Sequence, residues 1–234
     1  MKIVRDIFLD FINLIYPSCC EACGMLLVAG ERVLCSSCRY KLPRTNYWLQ
    51  KGNPVEQIFW GRVPVANACS LFFMSKGSSY RKLLHRLKYG NKPQIGIVLG
   101  LLLGNELAKV ADYAGVEFIM PVPLHVKRQR KRGYNQSEKI ATGISQAIGK
   151  PLLTDAVFRQ QYNETQTKKT REERWSNVSG VFAVRPNAAA RLAGRHILLV
   201  DDVLTTGATV EACIATMLKA ADCKISVATL AVAK

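Results

Sequence analysis

Acidic residues are scarce in this sequence: 17 Asp and Glu stand against 33 Lys and Arg in 234 residues, a net charge of +16. The imbalance is greatest between residues 121 and 174, where 12 basic side chains face 5 acidic ones. A field of that sign attracts polyanions, whether nucleic acid, nucleotide or an anionic membrane face; a basic surface kept for solubility is the plainer reading. Low-complexity tracts and internal repeats are also missing, and 49% of the chain is apolar. That excludes a disordered or repeat protein and leaves ample material for a buried core. No run is long enough to cross a bilayer. The stretch Ile95–Leu103 is too short, and Glu106 and Lys109 follow it. A secretory signal is lacking too. Met1–Tyr16 is apolar, but Lys2, Arg5, Asp6 and Asp10 interrupt it. Its Ile3, Ile7, Phe11, Leu14 and Ile15 recur at helical spacing, which predicts a short amphipathic helix. Without export or membrane signals the expected location is the cytoplasm, and the chain is not expected to be an integral membrane protein. Thiols stay reduced there, so the 8 cysteines are expected to hold metal rather than to form disulfides.

Cys20 and Cys23 form one C-x-x-C pair, and Cys35 and Cys38 form a second. Two such pairs are what a tetrahedral structural zinc site needs, each pair on a tight knuckle with both sulfurs toward one ion. Gly24 suits the first turn. A segment this small has almost no core, so Zn2+ would be its main source of stability. Cys19 adjoins Cys20, but only Cys20 has the two-residue gap to Cys23. A redox role for one pair is the competing reading. Cys69, Cys213 and Cys223 lie in apolar runs and are expected to pack in the core.

The stretch from His196 to Thr209 begins as an unbroken apolar run, the pattern of a buried parallel strand. The strand is expected to end at Asp201 and Asp202. A loop of Val203, Leu204, Thr205, Thr206 and Gly207 follows, and Val210–Ala221 reads as a helix with Val210, Ile214, Met217 and Leu218 on one face. Strand ends of an open α/β sheet face the ligand crevice. Loop and helix-start N–H groups there point at an anion, and Gly207 permits close approach or an unusual backbone angle. Carboxylates accept hydrogen bonds from ribose hydroxyls. The acid pair would therefore hold a sugar while the loop holds its phosphate. An ordinary strand-to-helix turn is the alternative.

Two basic stretches stand elsewhere. Val116–Val122 reads as a strand and runs into Pro121–His125 and then a basic loop with Lys127, Arg128, Arg130, Lys131 and Arg132. Asn135 followed by Glu138 has capping-box spacing, and the helix it starts should stop at Gly149. His125 by itself indicates no catalysis. The second stretch, Gln160–Asn177, carries Lys168, Lys169, Arg171 and Arg174 between strand-like runs at Leu152–Phe158 and Gly180–Val184, and reads as a lid or a partly helical surface segment. Ser79–Tyr89 reads as a basic helix with Leu83, Leu84 and Leu87 on its apolar side.

The segment Leu198–Gly207 resembles the phosphoribosyl-pyrophosphate (PRPP) signature of type I phosphoribosyltransferases over its whole length. That resemblance implies a parallel sheet with helices on both faces, ribose binding by Asp201 and Asp202, and phosphate binding by the loop through Thr205, Thr206, Gly207, Ala208 and Thr209. Together with the cysteine pairs, Leu87-Lys88-Tyr89-Gly90, Pro121–His125, Arg132–Gln136, Thr165-Gln166 and Arg174–Asn177, the chain is similar to the ComF family over roughly residues 17–234. The implied organisation is a helix and zinc ribbon over 1–45, a connecting α/β segment over 46–115 and a phosphoribosyltransferase-type core over 116–234.

Three functions follow from the resemblance. The first is an accessory role in competence-related DNA uptake, beside a helicase-like ATPase. The basic loops with Tyr89, Tyr134 and Trp175 would suit single-stranded DNA, with core packing as the alternative for those rings. The second is a PRPP-dependent transferase with Mg2+ on the pyrophosphate and Arg128, Arg130, Arg132, Lys168 or Arg171 stabilising the leaving group. In that family the pyrophosphate loop is short and rich in small residues, whereas residues 123–132 are long and basic. The third is a sensor that binds PRPP or a nucleotide without turnover.

Overall fold

The computed structural model describes residues 17–75, 77–160 and 180–233. Its strands are β1 (Ala68–Met74), β2 (Phe118–Pro121), β3 (Val157–Arg159), β4 (Phe182–Val184), β5 (His196–Leu204) and β6 (Lys224–Ala233). Four of them form one parallel sheet in the order β1-β6-β5-β2. Apolar runs build it because both faces are covered. The main helices are α1 (Ser36–Tyr40), α2 (Ser79–Tyr89), α3 (Pro93–Leu107), α4 (Val126–Arg132), α5 (Gln136–Ile148) and α6 (Ala208–Ala220). Alternate residues of the strands divide between two cores. Ile119, Leu198, Val200 and Leu230 pack with Leu99, Leu103, Ile140 and Ile144 of α3 and α5. Met120, Ile197, Leu199 and Val227 pack with Val210, Ile214 and Met217 of α6. The parallel sheet with helices on both faces is the expected one. No helix among the described residues is long and apolar enough to cross a membrane.

The apolar stretch Ile95–Leu103 lies inside α3, where its glycines matter. Gly96, Gly100 and Gly104 recur every four residues along one helix face, against α5. A Cβ on Gly100 would lie 2.2 Å from the Ile140 carbonyl oxygen, and one on Gly143 would lie 2.1 Å from that of Ile97. Neither backbone can yield while the helices stay packed. Gly143→Ala is therefore expected to lower the unfolding free energy by ~2 to 3 kcal/mol in urea titrations. An unchanged midpoint would mean that α3 and α5 are further apart.

The cysteine segment joins this core. Cys20, Leu34, Cys35 and Leu42 share a cluster with Leu83, Leu84 and Leu87 of α2. The Tyr80 hydroxyl donates to the Cys38 carbonyl at 2.8 Å, and Arg86 and Lys92 pair with Glu21. Segment 46–115 supplies β1, α2 and α3.

Ser79–Tyr89 is the expected helix, with Leu83, Leu84 and Leu87 buried. Three local readings are corrected. The basic run after His125 is not a loop but α4, started by His125 Nδ1 accepting from the Lys127 N–H at 3.2 Å and ended by Gly133 at φ +79. Lys, Arg and Gln are good helix formers, and a run whose single apolar residue is Val126 shows no periodicity. The acid pair does not end its strand: β5 continues to Leu204 because the ten-residue β6 keeps pairing with it. Leu152 makes only an isolated bridge to Ile119, and β3 begins at Val157. The expected N-terminal helix and residues 161–177 of the second basic stretch, with Lys168, Lys169, Arg171, Arg174 and Trp175, lie outside the described residues.

Candidate functional site

β2 stops at Pro121, where the proline-rich turn Pro121-Val122-Pro123 removes two backbone donors. Among the described residues β5 runs on without a partner on that side, so Asp201 and Asp202 face an opening beside the sheet. The short helix α4 and the start of α5 border it. A cavity of about 210 Å³ lies there, lined among others by Lys88, Arg128, Arg132, Arg159, Asp201 and Asp202.

Asp201 is half-buried. The Ser137 hydroxyl donates to its Oδ1 at 2.8 Å, as does the Asp202 N–H at 2.9 Å. Burial and then the neighbouring Asp202 charge push its carboxyl up to about 7, against the partial relief those hydrogen bonds bring. Asp202 pairs with Lys88, whose Nζ lies 3.0 Å from Oδ1. Among the described residues the site therefore concentrates two acids among four cations. Arg159 lies over the Phe182 ring, 5.5 Å from its centroid. Burial above all, and then the Arg128 charge, press its guanidinium's pKa down, against partial relief from Asp201.

Beyond the acids, Gly207 takes φ +78 and caps α6 without a side-chain partner. The loop encloses a second hollow of about 50 Å³ lined by Asp201 and Val203–Val210. Thr205, Thr206 and Thr209 are exposed around it, while the Leu204 side chain is buried in the core and leaves only backbone at the loop. Among the described residues, no acceptor takes the N–H of Thr206 or Gly207. Free donors at the start of a 13-residue helix suit an anion.

Of the basic candidates, Arg128 and Arg132 line the cavity and Arg130 does not. Arg132 is held by Gln136 Oε1 at 2.6 Å and stacks on Tyr89 at 5.1 Å. Lys168 and Arg171 lie outside the described residues. Lys88, Ser137 and Arg159 were missed by sequence reasoning. Lys88 had a signal, since it sits in the Leu87–Gly90 segment: Leu87 enters the core, Lys88 reaches Asp202 and Tyr89 meets Arg132. Arg159 and Ser137 had none. The Arg132–Gln136 segment is also explained. Gly133 ends α4, the Tyr134 hydroxyl donates to the Leu87 carbonyl at 2.5 Å, and Asn135 caps α5 through the Ser137 N–H at 3.1 Å. Tyr134 is thus buried packing, whereas Tyr89 is exposed.

The sulfurs of Cys20, Cys23, Cys35 and Cys38 all lie within 4.8 Å of one another. Cys23 and Cys35 are 3.8 Å apart. A tetrahedron with Zn–S bonds of about 2.3 Å has edges of about 3.8 Å, so the four thiols fit such an ion. Burial resists ionisation of Cys20, but N–H groups of Cys35, Cys23 and Ala22 outweigh it and bring the thiol down to about 6. Cys38 is driven up by burial and by the other thiols. Cys20 is thus the thiol most readily ionised, and Cys38 the one that resists it. Cys19 is exposed and outside the cluster. Cys69, Cys213 and Cys223 are buried as expected.

A model of the family "Phosphoribosyl transferase domain" matches residues 95–234. The chain is 28% identical over 211 residues to "DNA utilization protein YhgH" of Escherichia coli (strain K12), covering 83% of this chain and 88% of that protein. It is 30% identical over 132 residues to "Competence protein ComFC" of Bacillus subtilis (strain 168), covering 56% and 50%. Among solved structures, the glutamine PRPP amidotransferase from B. subtilis complexed with ADP and GMP matches with 17% identity and a TM-score of 0.44. That match covers 62% of this chain and 30% of that one.

Proposed function

The chain belongs to the phosphoribosyl transferase domain family, in its ComF branch, and from that premise we propose that it binds PRPP or the ribose 5-phosphate of a nucleotide between the acid pair and the Thr205–Thr209 loop, as an accessory factor in competence-related DNA uptake. The observation that carries this reading is the juxtaposition of half-buried Asp201 and Asp202 with unpartnered loop donors, opened by the early end of β2. The carboxylates would accept from the ribose hydroxyls, and the loop N–H groups would take the 5-phosphate. Lys88, Arg128, Arg132 and Arg159 would face the pyrophosphate or the next phosphate. Among the described residues, Asp201 and Asp202 are the carboxylates lining the cavity. With the ligand's own oxygens they suit Mg2+, which supplies charge neutralisation when it arrives with PRPP. The four-cysteine cluster would hold one structural Zn2+. A reduced compartment, the cytoplasm, suits that set of free thiols. Calorimetric titration with PRPP and Mg2+ tests the reading; heats no larger than those of buffer would end it.

The DNA-handling part is supported by the names of the relatives and by Tyr89, which is 62% exposed beside Arg132 and His85. An exposed ring beside an arginine is suited to stack a base. Four phosphate contacts on a single strand predict roughly a fiftyfold loss of oligothymidylate affinity between 50 and 200 mM salt. Fluorescence anisotropy measures it, and a salt-insensitive or absent signal counts against a DNA role. A helicase-like ATPase partner rests on the family alone.

The four cations also favour a second reading, transfer of the phosphoribosyl group. The bond from C1′ to pyrophosphate would break as a nucleophile bonds to C1′, with Arg128, Arg132 and Arg159 holding the departing charge. Lys168 and Arg171 remain candidates for the same task. Pyrophosphate release across a panel of bases and amines separates a transferase from a binder.

A further inference from the structure

The phosphate loop is braced from outside the matched family region. After the short helix Pro54–Gln57 the chain turns beneath the loop. A Cβ on Gly207 would lie 2.7 Å from Ile58 Cγ2 and 3.3 Å from the Phe59 ring, so these two side chains pack directly against the glycine. From the same turn Arg62 reaches across. Its Nη1 donates to the Thr206 carbonyl at 2.9 Å and to the Ile58 carbonyl at 3.0 Å, and its Nη2 pairs with Glu211 in the first turn of α6.

The bond to Thr206 has a directional consequence. In a trans peptide the carbonyl and the following N–H point in opposite directions, and no cis peptide is present among the described residues. Drawing the Thr206 oxygen toward Arg62 turns the Gly207 N–H the other way, and Gly207 is one of the residues lining the hollow. A charged donor on the carbonyl also polarises the peptide and makes its N–H a stronger donor. Glu211 and the Ile58 carbonyl hold the guanidinium in place.

We propose that Arg62 is a positioning residue for sugar-phosphate binding: by fixing the Thr206–Gly207 peptide it aims and strengthens the Gly207 N–H that meets the phosphate. This rests on the loop being the phosphate site proposed above. It assigns a role in recognition to a segment lying before the residues matched by the family model. Arg62 touches no phosphate; it acts through one peptide group.

The test uses the full chain and ribose 5-phosphate as probe, with affinities from calorimetry and amide shifts from 1H–15N spectra. In the unaltered protein the Gly207 amide proton should move downfield on saturation. Arg62→Met keeps the stem and removes the donors. It should weaken ribose 5-phosphate binding about tenfold and shrink the Gly207 shift. Arg62→Lys, which restores a single donor, should recover part of both. If Arg62→Met does not fold, Arg62→Lys carries the test by the size of its Gly207 shift. Binding by Arg62→Met within fivefold of the unaltered protein, or an undiminished Gly207 shift, overturns the proposal while leaving the phosphate site intact. Failure of the unaltered protein to bind ribose 5-phosphate at all overturns the site reading, and the role of Arg62 with it.

Discussion

Asp201→Asn is expected to stabilise the ligand-free protein and to impair ligand binding, two effects of opposite sign from one oxygen-to-nitrogen change. The folded carboxyl is held at about 7 against an ordinary value of 3.8. Between those values the folded state keeps a proton that the unfolded chain has released. Unfolding therefore becomes easier as pH rises from about 4, and the loss is complete above about 7. A shift of that size, discounted for solvent in the cavity, is on the order of 3 kcal/mol. Asn imitates the neutral acid and keeps the hydrogen bond from Ser137, so at pH 8 the variant should melt higher by several degrees. At pH 4 the two melting points should coincide. The ionised acid is nonetheless what the proposed function requires, because only the carboxylate is acceptor-only toward ribose hydroxyls. PRPP affinity should rise with pH through about 7. It should fall by roughly a hundredfold in Asp201→Asn, and beyond detection when Asp202→Asn is added. A single variant that neither gains stability at pH 8 nor loses affinity would remove Asp201 from the site. The expected opposition is the usual signature of a group kept for function at the expense of the fold.

Removing the proposed zinc is expected to be the largest single perturbation. Binding free energies of about 10–16 kcal/mol are typical of structural zinc in small domains, where metal binding and folding are one process. Metal analysis should find one zinc per chain. Cys20→Ser, Cys23→Ser, Cys35→Ser and Cys38→Ser should each lose it, and Cys19→Ser should retain it, since Cys19 lies outside the cluster. Chelation should raise amide exchange over residues 17–40, and then over α2, because Cys20, Leu34 and Cys35 share a core with Leu83, Leu84 and Leu87. The consequence reaches the site: α2 carries Lys88, the partner of Asp202. Full exchange protection of 17–40 in metal-free protein would show that the segment folds on packing alone.

Residue pattern alone was enough for the parts of this protein whose chemistry is local. The two C-x-x-C pairs specify four thiols on two knuckles, an unbroken apolar run specifies a doubly covered strand, and Gly207 marks the backbone angle that it takes. The helix Ser79–Tyr89, the cap at Asn135 and the stop at Gly149 are equally local, being one turn of side-chain spacing or one hydrogen bond. What the pattern could not carry was anything that depends on two distant segments meeting. Arg159, Ser137 and Lys88 reach the cavity from β3, α5 and α2, and Arg62 reaches the loop from before β1. Lys88 at least stands in the Leu87–Gly90 segment; the other three do not differ, within their own neighbourhoods, from ordinary surface residues. The same holds for the glycines of α3, whose reason is the backbone of α5 pressed against them. It holds also for the length of β5, decided by where β6 continues and β2 stops. Local interactions are encoded within a few residues of the chain, whereas burial, charge crowding and close approach arise only once packing has chosen the neighbours.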